Sequence, residues 1–540
     1  MKKLASITLW LIALLVSVCL SACSSDAAMD EQNNPFDGEG SVMLLKLDVQ
    51  SQSGTRSNPT GGELGDGTED GVRHENEIRN VCVFIIRNGY GMDADASTPF
   101  LFKGYYTYGM PDCEWTAQPY GVDVKFRLKG YTPADDDRVL IVANSGNIVN
   151  SVSNLGALRD FTTYSAWQNH AALADNDYFV MSSAYNNSSD GLVHVTPYPG
   201  TFEEPYIATM TIQRAAARID FMYKTGVNDG TAGQLTYDVH TDPEDLSSAV
   251  IGTMHLQNII PVNLMQESSY LIKRVTTSDA INSAVRYGAL ETTGVNGAPT
   301  NYVIEPHTLA KQSTVDGSTL DQWYGATRAE TVRTGINSYL TAATSITTYM
   351  ATTTAQAELG YFTHHMTLAY TNENTQSKEH NDPNFMTGLL LKAIYEPKTV
   401  YTDAAATVLD GTNNYAAGHT FWRYSPTSTE MAEKDCKYFE NEAAATAYKA
   451  AHPEDLAEIQ EYTNGVCYYN IWLRHANIDE DPHLTFPMEY GIVRNNIYRV
   501  GVEKVTGPGT ALPEMKEPDH IYLRIFVRKW NLRKQPTIRL

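Results

Sequence analysis

Short runs in which apolar and polar residues alternate recur along the chain, and this period of two restricts the fold more than any other feature. Gly, Pro and Asn separate the runs, and the strand-favouring residue Tyr is abundant, at 33 copies against 15 of Phe. The pattern predicts strands over 78–87, 100–108, 122–130, 137–145, 178–185, 206–224, 236–242, 252–264, 366–376, 388–397, 465–475, 495–507 and 521–540. We therefore predict an all-β sandwich fold with a domain boundary near residue 205. Minor helical insertions are predicted over 164–174 and over 441–462, the second interrupted by Pro453.

The first 23 residues have the pattern of a bacterial lipoprotein signal. Lys2 and Lys3 precede an almost wholly apolar stretch, 4–20, and the sequence LSAC follows and ends at Cys23. The stretch is at the short limit for a membrane span, and its flanks are those of a secretory signal. We expect removal of residues 1–22 and attachment of a diacylglyceryl group to the Cys23 sulfur, which anchors the chain outside the cytoplasm. An ordinary signal peptide with a chance cysteine is the alternative.

The chain is acidic, with a formal net charge of −23 at pH 7. An acidic protein repels nucleic acid, and the sequence contains no basic patch with interleaved aromatic residues. We therefore expect no nucleic-acid partner.

Four cysteines of the predicted mature chain remain besides the lipidated one: Cys82, Cys113, Cys436 and Cys467. They allow three pairings, and their spacing contains neither a CxxC motif nor a zinc site. We favour mostly buried free thiols, because a chain of this size does not need a disulfide framework. Structural disulfides stay open as the alternative.

The sequence contains no residue set that is typical of an enzyme. The densest acidic clusters, residues 135–137 (DDD) and 479–481 (DED), lie in predicted turns, where solvation explains them better than a glycosidase pair or a Ca²⁺ site. The pair His364 and His365 lacks the HExxH frame of zinc proteases, and no GxSxG, Walker or GxGxxG motif occurs in context. We therefore expect no catalytic residue, no metal and no cofactor.

A strand pattern near the N-terminus is followed by an unusual segment. Met43, Leu45, Leu47 and Val49 alternate with other residues and predict a half-buried strand. Residues 51–71, SQSGTRSNPTGGELGDGTEDG, are polar and glycine-rich, and no packed element favours such a composition. We call residues 51–71 the leash. It contains one arginine, Arg56, so the sequence places a strand on a segment that a protease can cut.

The chain ends in a second alternating pattern, in which Ile521, Leu523, Ile525 and Val527 are followed by Trp530, Leu532, Ile538 and Leu540. Residues 521–540 carry six basic side chains and no acidic one. A terminal strand of this kind either completes the sheet of another molecule or closes its own sheet, with the charges protecting its edge from aggregation. The pattern alone favours the second interpretation.

The C-terminal sequence resembles a known family. The stretch GVCYYNIWLRHANIDEDPHLTFPMEYGIVRNNIYRVGVEKVTGPG (465–509), followed by IYLRIFVRKW (521–530), is similar to the C-terminal domain of Bacteroidales fimbrillins, which build type V pili. The most specific part is MEYGIVRNNIYRV (488–500), and QRAAARID (213–220) and MSS (181–183) are weaker matches. The chain most resembles the Mfa-type major subunits, relatives of FimA.

This resemblance implies a mechanism of assembly. Such subunits reach the outer membrane as lipoproteins, have two transthyretin-like β-sandwich domains, and lose an N-terminal strand to an arginine-specific protease. The C-terminal strand of another subunit then fills the open groove. For this chain, the resemblance implies a signal peptide (1–22), a lipidated tether with a removable strand (23–56), and two domains (57–205 and 206–540).

The same resemblance gives expected roles to individual residues. The chain would be cut between Arg56 and Ser57, with Arg73 as the alternative site. The removable plug strand would present Met43, Leu45, Leu47 and Val49. The donor strand would present Ile521, Leu523, Ile525, Val527, Trp530, Leu532, Ile538 and Leu540. Because both strands offer four apolar side chains at a period of two, one groove accepts either.

The expected partners are further copies of the chain, other fimbrial subunits, the arginine-specific protease, the outer membrane through the lipid during export, and host or bacterial surface receptors. The precursor is expected in the outer membrane and the mature protein in the fimbrium, where it supports adhesion. After removal of Lys2 and Lys3, the tail 521–540 carries +6 and the rest of the chain −31, so we also expect electrostatic steering during assembly. A surface glycan-binding lipoprotein of a nutrient-uptake system is the alternative function, and an enzyme is the third.

Overall fold

The computed structural model describes residues 40–48, 68–70, 73–87, 96–118, 121–163, 178–184, 191–223, 235–262, 264–265, 269–276, 285–286, 302–304, 306, 364–374, 386–409, 418–426, 432–475, 490–513 and 521–531. These residues form mainly β-strands joined by turns. Within these ranges, no helix has the length and the hydropathy that crossing a membrane requires. The helix predicted over 164–174 lies outside the described residues.

The N-terminal part contributes β1 (Ser41–Asp48), β2 (Thr68–Asp70), α1 (Arg73–Asn76), β3 (Asn80–Arg87), β4 (Phe102–Thr107), β5 (Cys113–Gln118), β6 (Gly121–Leu128), β7 (Asp137–Ala143), α2 (Leu155–Arg159), β8 (Thr162–Thr163), β9 (Met181–Ser183), β10 (Val193–His194) and β11 (Tyr206–Arg214). Nine of these strands form one sheet in the order β4-β3-β7-β9-β11-β1-β6-β5, with β10 beside β7.

Strand β11 changes its partner along its length. Residues 206–211 run parallel to β1, and residues 212–214 run antiparallel to β9. The two ends of the sheet pack over one hydrophobic core, in which the ring centroids of Tyr106 on β4 and Phe126 on β6 are 3.9 Å apart. The sheet therefore folds over itself as a sandwich.

The C-terminal part contributes β12 (Ala217–Tyr223), β13 (Leu235–His240), β14 (Val250–Val262), β15 (Ser269–Tyr270), β16 (Arg274–Thr276), β17 (Val285–Arg286), β18 (Tyr302–Ile304), β19 (His364–Thr371), β20 (Gly388–Pro397), β21 (Phe421–Ser425), β22 (Lys437–Phe439), α3 (Glu442–Ala451), β23 (Glu458–Tyr462), β24 (Val466–Trp472), β25 (Asn496–Val505) and β26 (Ile521–Asn531). Single 3₁₀ turns lie at Glu433–Asp435, Pro453–Asp455 and Thr463–Gly465.

Two of the C-terminal sheets pack face to face. Their strand orders are β19-β12-β25-β26-β2 and β13-β14-β20-β24. Phe221 and Tyr498 of the first sheet share a buried cluster with Tyr395 and Tyr469 of the second. Smaller sheets, β15-β8, β16-β18-β17 and β22-β21-β23, complete the described part. The pairing of β15 with β8 also links the two parts of the chain.

The prediction of an all-β fold with minor helical insertions is confirmed. The helix predicted over 441–462 is correct only as far as Ala451, because residues 458–462 form β23 and pair with β21. Pairing in the sheet overrides the local helix propensity there. Strand β5 was not predicted from the sequence; three of its six residues are half-buried and the others exposed, so its apolar pattern is weak.

The strand predicted over 206–224 is broken at Ala215 and Ala216. The Ala215 N–H donates to the Val180 carbonyl at 2.8 Å, and the Ala216 carbonyl accepts from the Asn495 N–H at 2.7 Å. Because β11 pairs within the N-terminal sheet, we propose this break, rather than residue 205, as the boundary between the two domains.

Candidate assembly site: the N-terminal and C-terminal strands

Strand β1 lies inside the N-terminal sheet and not at its edge. It pairs antiparallel with β6 along all eight of its residues and parallel with β11 from Met43 to Asp48. Both of its edges therefore take part in main-chain pairing. The parallel partner β11 lies more than 150 residues further along the chain, so the sequence alone does not predict this pairing.

The side chains of β1 alternate between the core and the outer face. Met43, Leu45 and Leu47 are at most 2% exposed and belong to the N-terminal core, whereas Lys46 is exposed. Val42, also 2% exposed, departs from strict alternation. Val49 lies outside the described residues. Burial of three such side chains contributes roughly 5–9 kcal/mol of transfer free energy, before the entropy of ordering the strand is subtracted.

Two glycines shape the ends of the groove that holds β1. A Cβ atom at Gly121 would lie 1.8 Å from the Leu47 carbonyl oxygen, so any larger residue would displace the C-terminal end of β1. At the other end, the Val42 N–H donates to the carbonyl of Gly200 at 2.9 Å. Gly200 has a φ of +76°, in the left-handed region that favours glycine. The groove is therefore built around the main chain of this strand.

The charged side chains of β1, Lys46 and Asp48, have different surroundings in the groove. Lys46 stands in register with Asp123 on β6, and its charge lowers the pKa of the Asp123 carboxyl while burial raises it more strongly. Burial also raises the pKa of Asp48, and the Asp48 Oδ1 atom is buried without a hydrogen-bond partner among the described residues. The ionised Asp48 carboxylate therefore opposes the binding of β1 in its groove.

The predicted cleavage sites lie in different surroundings. Arg56 and Ser57 lie outside the described residues, whereas Arg73 begins α1. Glu75 and Asn76 of the same helix are 0% and 2% exposed. A protease needs an extended substrate, so a cut at Arg73 requires local unfolding of α1.

Helix α1 is held by a buried cluster of charges at the junction of the two domains. The Glu75 carboxylate accepts a hydrogen bond from the Tyr370 hydroxyl at 2.6 Å and from Arg218 Nη1 at 3.3 Å. The main-chain carbonyl of Glu75 accepts from Arg214 Nε at 2.7 Å. Burial lowers the pKa of the Arg214 guanidinium to about 9, and the nearby Glu75 carboxylate acts against this shift.

The same cluster continues into the C-terminal sheet. Asp220 on β12 accepts from Arg218 Nη2 at 2.9 Å and from Arg499 Nη2 at 2.8 Å, and all three residues are at most 2% exposed. Arg214 and Arg218 lie in the strand predicted over 206–224 and in the family match 213–220, and neither pattern indicated that they are buried. Two arginines and an aspartate within a run, 212–221, that is otherwise mostly apolar are the signal that could have indicated buried ion pairs.

The C-terminal strand β26 is a member of its own C-terminal sheet. It pairs antiparallel with β25 over nine residue pairs, and Ile521, Leu523, Ile525 and Val527 lie in register with residues of β25. Trp530 lies in the same strand and in register with Glu69 of β2. Leu532, Ile538 and Leu540 lie outside the described residues. Within a single chain, the C-terminal strand thus closes its own sheet.

The acidic and histidine clusters have structural surroundings. Asp135 and Asp136 are exposed, as expected of a solvated turn, but Asp137 is buried and pairs with Arg87 Nε at 2.8 Å. The cluster 479–481 lies outside the described residues. His364 and His365 are neighbours on β19, and within the described ranges no group of His, Cys, Asp and Glu could hold a metal ion.

The four described cysteines are free: Cys82, Cys113, Cys436 and Cys467. Burial raises the pKa of Cys436 to about 11 and those of Cys113 and Cys467 to about 12. The pKa of Cys82 is also raised, for the same reason. These thiols are therefore protonated at neutral pH, a state in which cysteine is a poor nucleophile.

The comparison with known proteins gives one family match. Residues 460–535 match the family described as "Major fimbrial subunit protein type IV, Fimbrillin, C-terminal", a range that includes β24, β25 and β26. The match supports the resemblance to fimbrillins that we described for this part of the sequence. The search of curated proteins gave no match.

Two solved structures align with most of the chain at low similarity. A candidate cell adhesion protein from Bacteroides eggerthii DSM 20697 aligns at 13% identity with a TM-score of 0.35, over 93% of this chain and 99% of that one. The tip fimbrial protein Mfa3 from Porphyromonas gingivalis, truncated at its C-terminus, aligns at 10% identity with a TM-score of 0.32, over 91% and 100%. The assignment therefore rests on the match of residues 460–535.

Proposed function

We propose, from the match of residues 460–535 to the C-terminal region of major fimbrial subunits, that the chain is a structural pilus subunit that polymerises on the cell surface and supports adhesion. Polymerisation proceeds by donor-strand exchange: an arginine-specific protease removes the plug strand, and the C-terminal strand of another copy or another fimbrial subunit enters the groove. The precursor is anchored in the outer membrane through a lipid on Cys23. Host or bacterial surface receptors are its binding partners in adhesion.

The observation that carries this proposal is the position of β1. A strand that is paired along both edges and buried on one face leaves a long groove when it departs. An incoming strand gains the same main-chain hydrogen bonds and the same apolar contacts, so exchange between two strands of equal pattern is close to neutral in free energy. No reaction chemistry is needed, and we propose a structural rather than an enzymatic role.

Arg56 is our proposed cleavage site, and α1 provides the reason. Glu75 and Asn76, on the C-terminal side of Arg73, are buried, and Glu75 accepts hydrogen bonds from Arg214 and Arg218, so a cut at Arg73 requires local unfolding. A cut after Arg56 needs no such opening of α1. The new N-terminus is then Ser57.

A protease titration tests the proposal. The mature chain carrying Cys23→Ser is treated with an arginine-specific protease, its new N-terminus is sequenced, and the product is run unboiled on a gel. We expect a start at Ser57 and a ladder of high-mass species. A start at His74 with a ladder would keep the mechanism and move the cut to Arg73.

Matched variants complete this test. Arg56→Gln should abolish the ladder, and Arg73→Gln should leave it unchanged. Clean removal of the N-terminal strand that leaves a stable monomer would contradict donor-strand exchange and favour glycan binding. Assembly rates that do not fall with added salt would contradict steering by the basic tail.

A further inference from the structure

The end of the leash belongs to the C-terminal sheet and not to the sheet of β1. Strand β2 runs parallel to β26, with Thr68 in register with Lys529, Glu69 with Trp530 and Asp70 with Asn531. In the strand order β19-β12-β25-β26-β2, it is the outermost strand beside β26. The segment that leads from β1 into the N-terminal domain therefore covers part of one edge of the C-terminal strand.

The C-terminal end of β2 is attached to a fixed part of the protein. Only two residues separate it from α1, whose Glu75 is fixed by Arg214 and Arg218 through buried hydrogen bonds. A short connection to a fixed point gives β2 a high effective concentration at the edge of β26. Three residue pairs are therefore enough to keep the edge occupied, although so short a parallel pairing would be weak in isolation.

The pairing with β2 covers only the last three residues of β26, Lys529 to Asn531. Among the described residues, the outer edge of 521–528 has no other strand beside it, and such an edge is where a strand is added or released.

We propose that β2 is an edge cap, which holds the C-terminal strand in its own sheet and must leave before that strand can be donated. This inference rests on the proposed function and deepens it, because it names a second contact that has to open before the strand is donated. A cut at Arg56 frees β1 but leaves β2 attached through α1. A cut at Arg73 removes β1 and β2 together. The two cuts therefore give different products, one with a held donor strand and one with a released donor strand.

A proline in β2 tests the cap. Glu69→Pro removes a main-chain N–H from β2 and restricts its backbone, whereas Glu63→Pro makes the same chemical change before β2 begins. Both are made in the mature chain with Cys23→Ser and Arg73→Gln, so that cleavage occurs at Arg56 and β2 is retained. The first readout is amide hydrogen exchange of residues 521–531 before cleavage, and the second is the rate of ladder formation after cleavage.

We expect Glu69→Pro to increase both rates about tenfold, equivalent to about 1.4 kcal/mol, and Glu63→Pro to change neither. Equal exchange in the two variants would overturn the cap, whatever the ladder shows. Faster exchange with an unchanged ladder rate would also overturn it, because β2 would then not limit release. Faster exchange with no ladder from any protein, the parent included, would support the cap on β26 and contradict the proposed donor-strand exchange.

Discussion

Replacing Glu75 by Gln should destabilise the junction between the two domains by about 3 kcal/mol. Glutamine has nearly the same shape and can still accept the hydrogen bond of Tyr370, so the change removes mainly the charge. It leaves Arg218 with its hydrogen bonds to Asp220 but without the charge of Glu75. Removal of one partner of a buried ion pair costs about 3–5 kcal/mol, because the other charge stays buried.

The geometry selects the lower end of that range. Arg218 lies 3.3 Å from the Glu75 oxygens, longer than an ideal charge-assisted contact, and it keeps two hydrogen bonds to Asp220 at 2.9 and 3.0 Å. The free energy of unfolding is measured by urea titration followed by circular dichroism. Glu458→Gln, at an exposed position on β23, is the control and should stay within about 0.5 kcal/mol of the parent.

A double-mutant cycle separates the charge effect from lost packing. Arg218→Met in the Glu75→Gln background removes the guanidinium that the Glu75 carboxylate balances, so the two changes together should cost less than their sum by at least about 1 kcal/mol. A loss below about 1 kcal/mol for Glu75→Gln alone, or strict additivity in the cycle, would refute the assignment of α1 to a buried ionic anchor.

Three further perturbations have defined outcomes. Gly121→Ala should destabilise the uncleaved protein by about 1–3 kcal/mol in urea titrations and raise amide exchange in β1, because its Cβ would meet the Leu47 carbonyl. Burial lowers the pKa of His475 to about 3, so the unfolded chain binds a proton at higher pH than the folded protein does. The free energy of unfolding should therefore fall as the pH drops below about 6.5, by up to about 1.4 kcal/mol per pH unit. His475→Gln should reduce this slope in urea titrations at several pH values. Burial raises the pKa of Asp48, so its ionisation weakens the binding of β1 as the pH rises through that pKa; Asp48→Asn should slow amide exchange in β1 at pH 7, and unchanged exchange would contradict this.

The sequence predicted the strands whose pattern reflects burial. Strands β1, β20 and β25 carry apolar side chains at regular spacing and lie within about two residues of their expected bounds. Strand β23 was predicted as part of a helix, because an Ala-rich run with helix-favouring residues precedes it and only its pairing with β21 decides its conformation.

The sequence did not predict which strands pair with each other or which charged side chains are buried. The parallel neighbour of β1 is far away in the chain, and alternation gives no information about which strand pairs with which. The cluster of Glu75, Arg218 and Asp220 escaped prediction for a related reason. Charged side chains are normally exposed, and only the meeting of α1 with β12, and of β12 with Arg499 of β25, makes their burial favourable.

The junction at Ala215 and Ala216 has a mechanical consequence for a filament. Strand β11 lies beside the groove, and strand β12 lies beside β25. Ala215 and Ala216, both held by main-chain hydrogen bonds, join β11 to β12. A tensile force on a strand bound in the groove would be transmitted through β11 to β12, and from β12 to β25 and β26. Parallel and antiparallel pairs loaded along their length share a force among many hydrogen bonds, which would have to shear together. A fibre built from such subunits would resist traction along its axis without any covalent bond between its members.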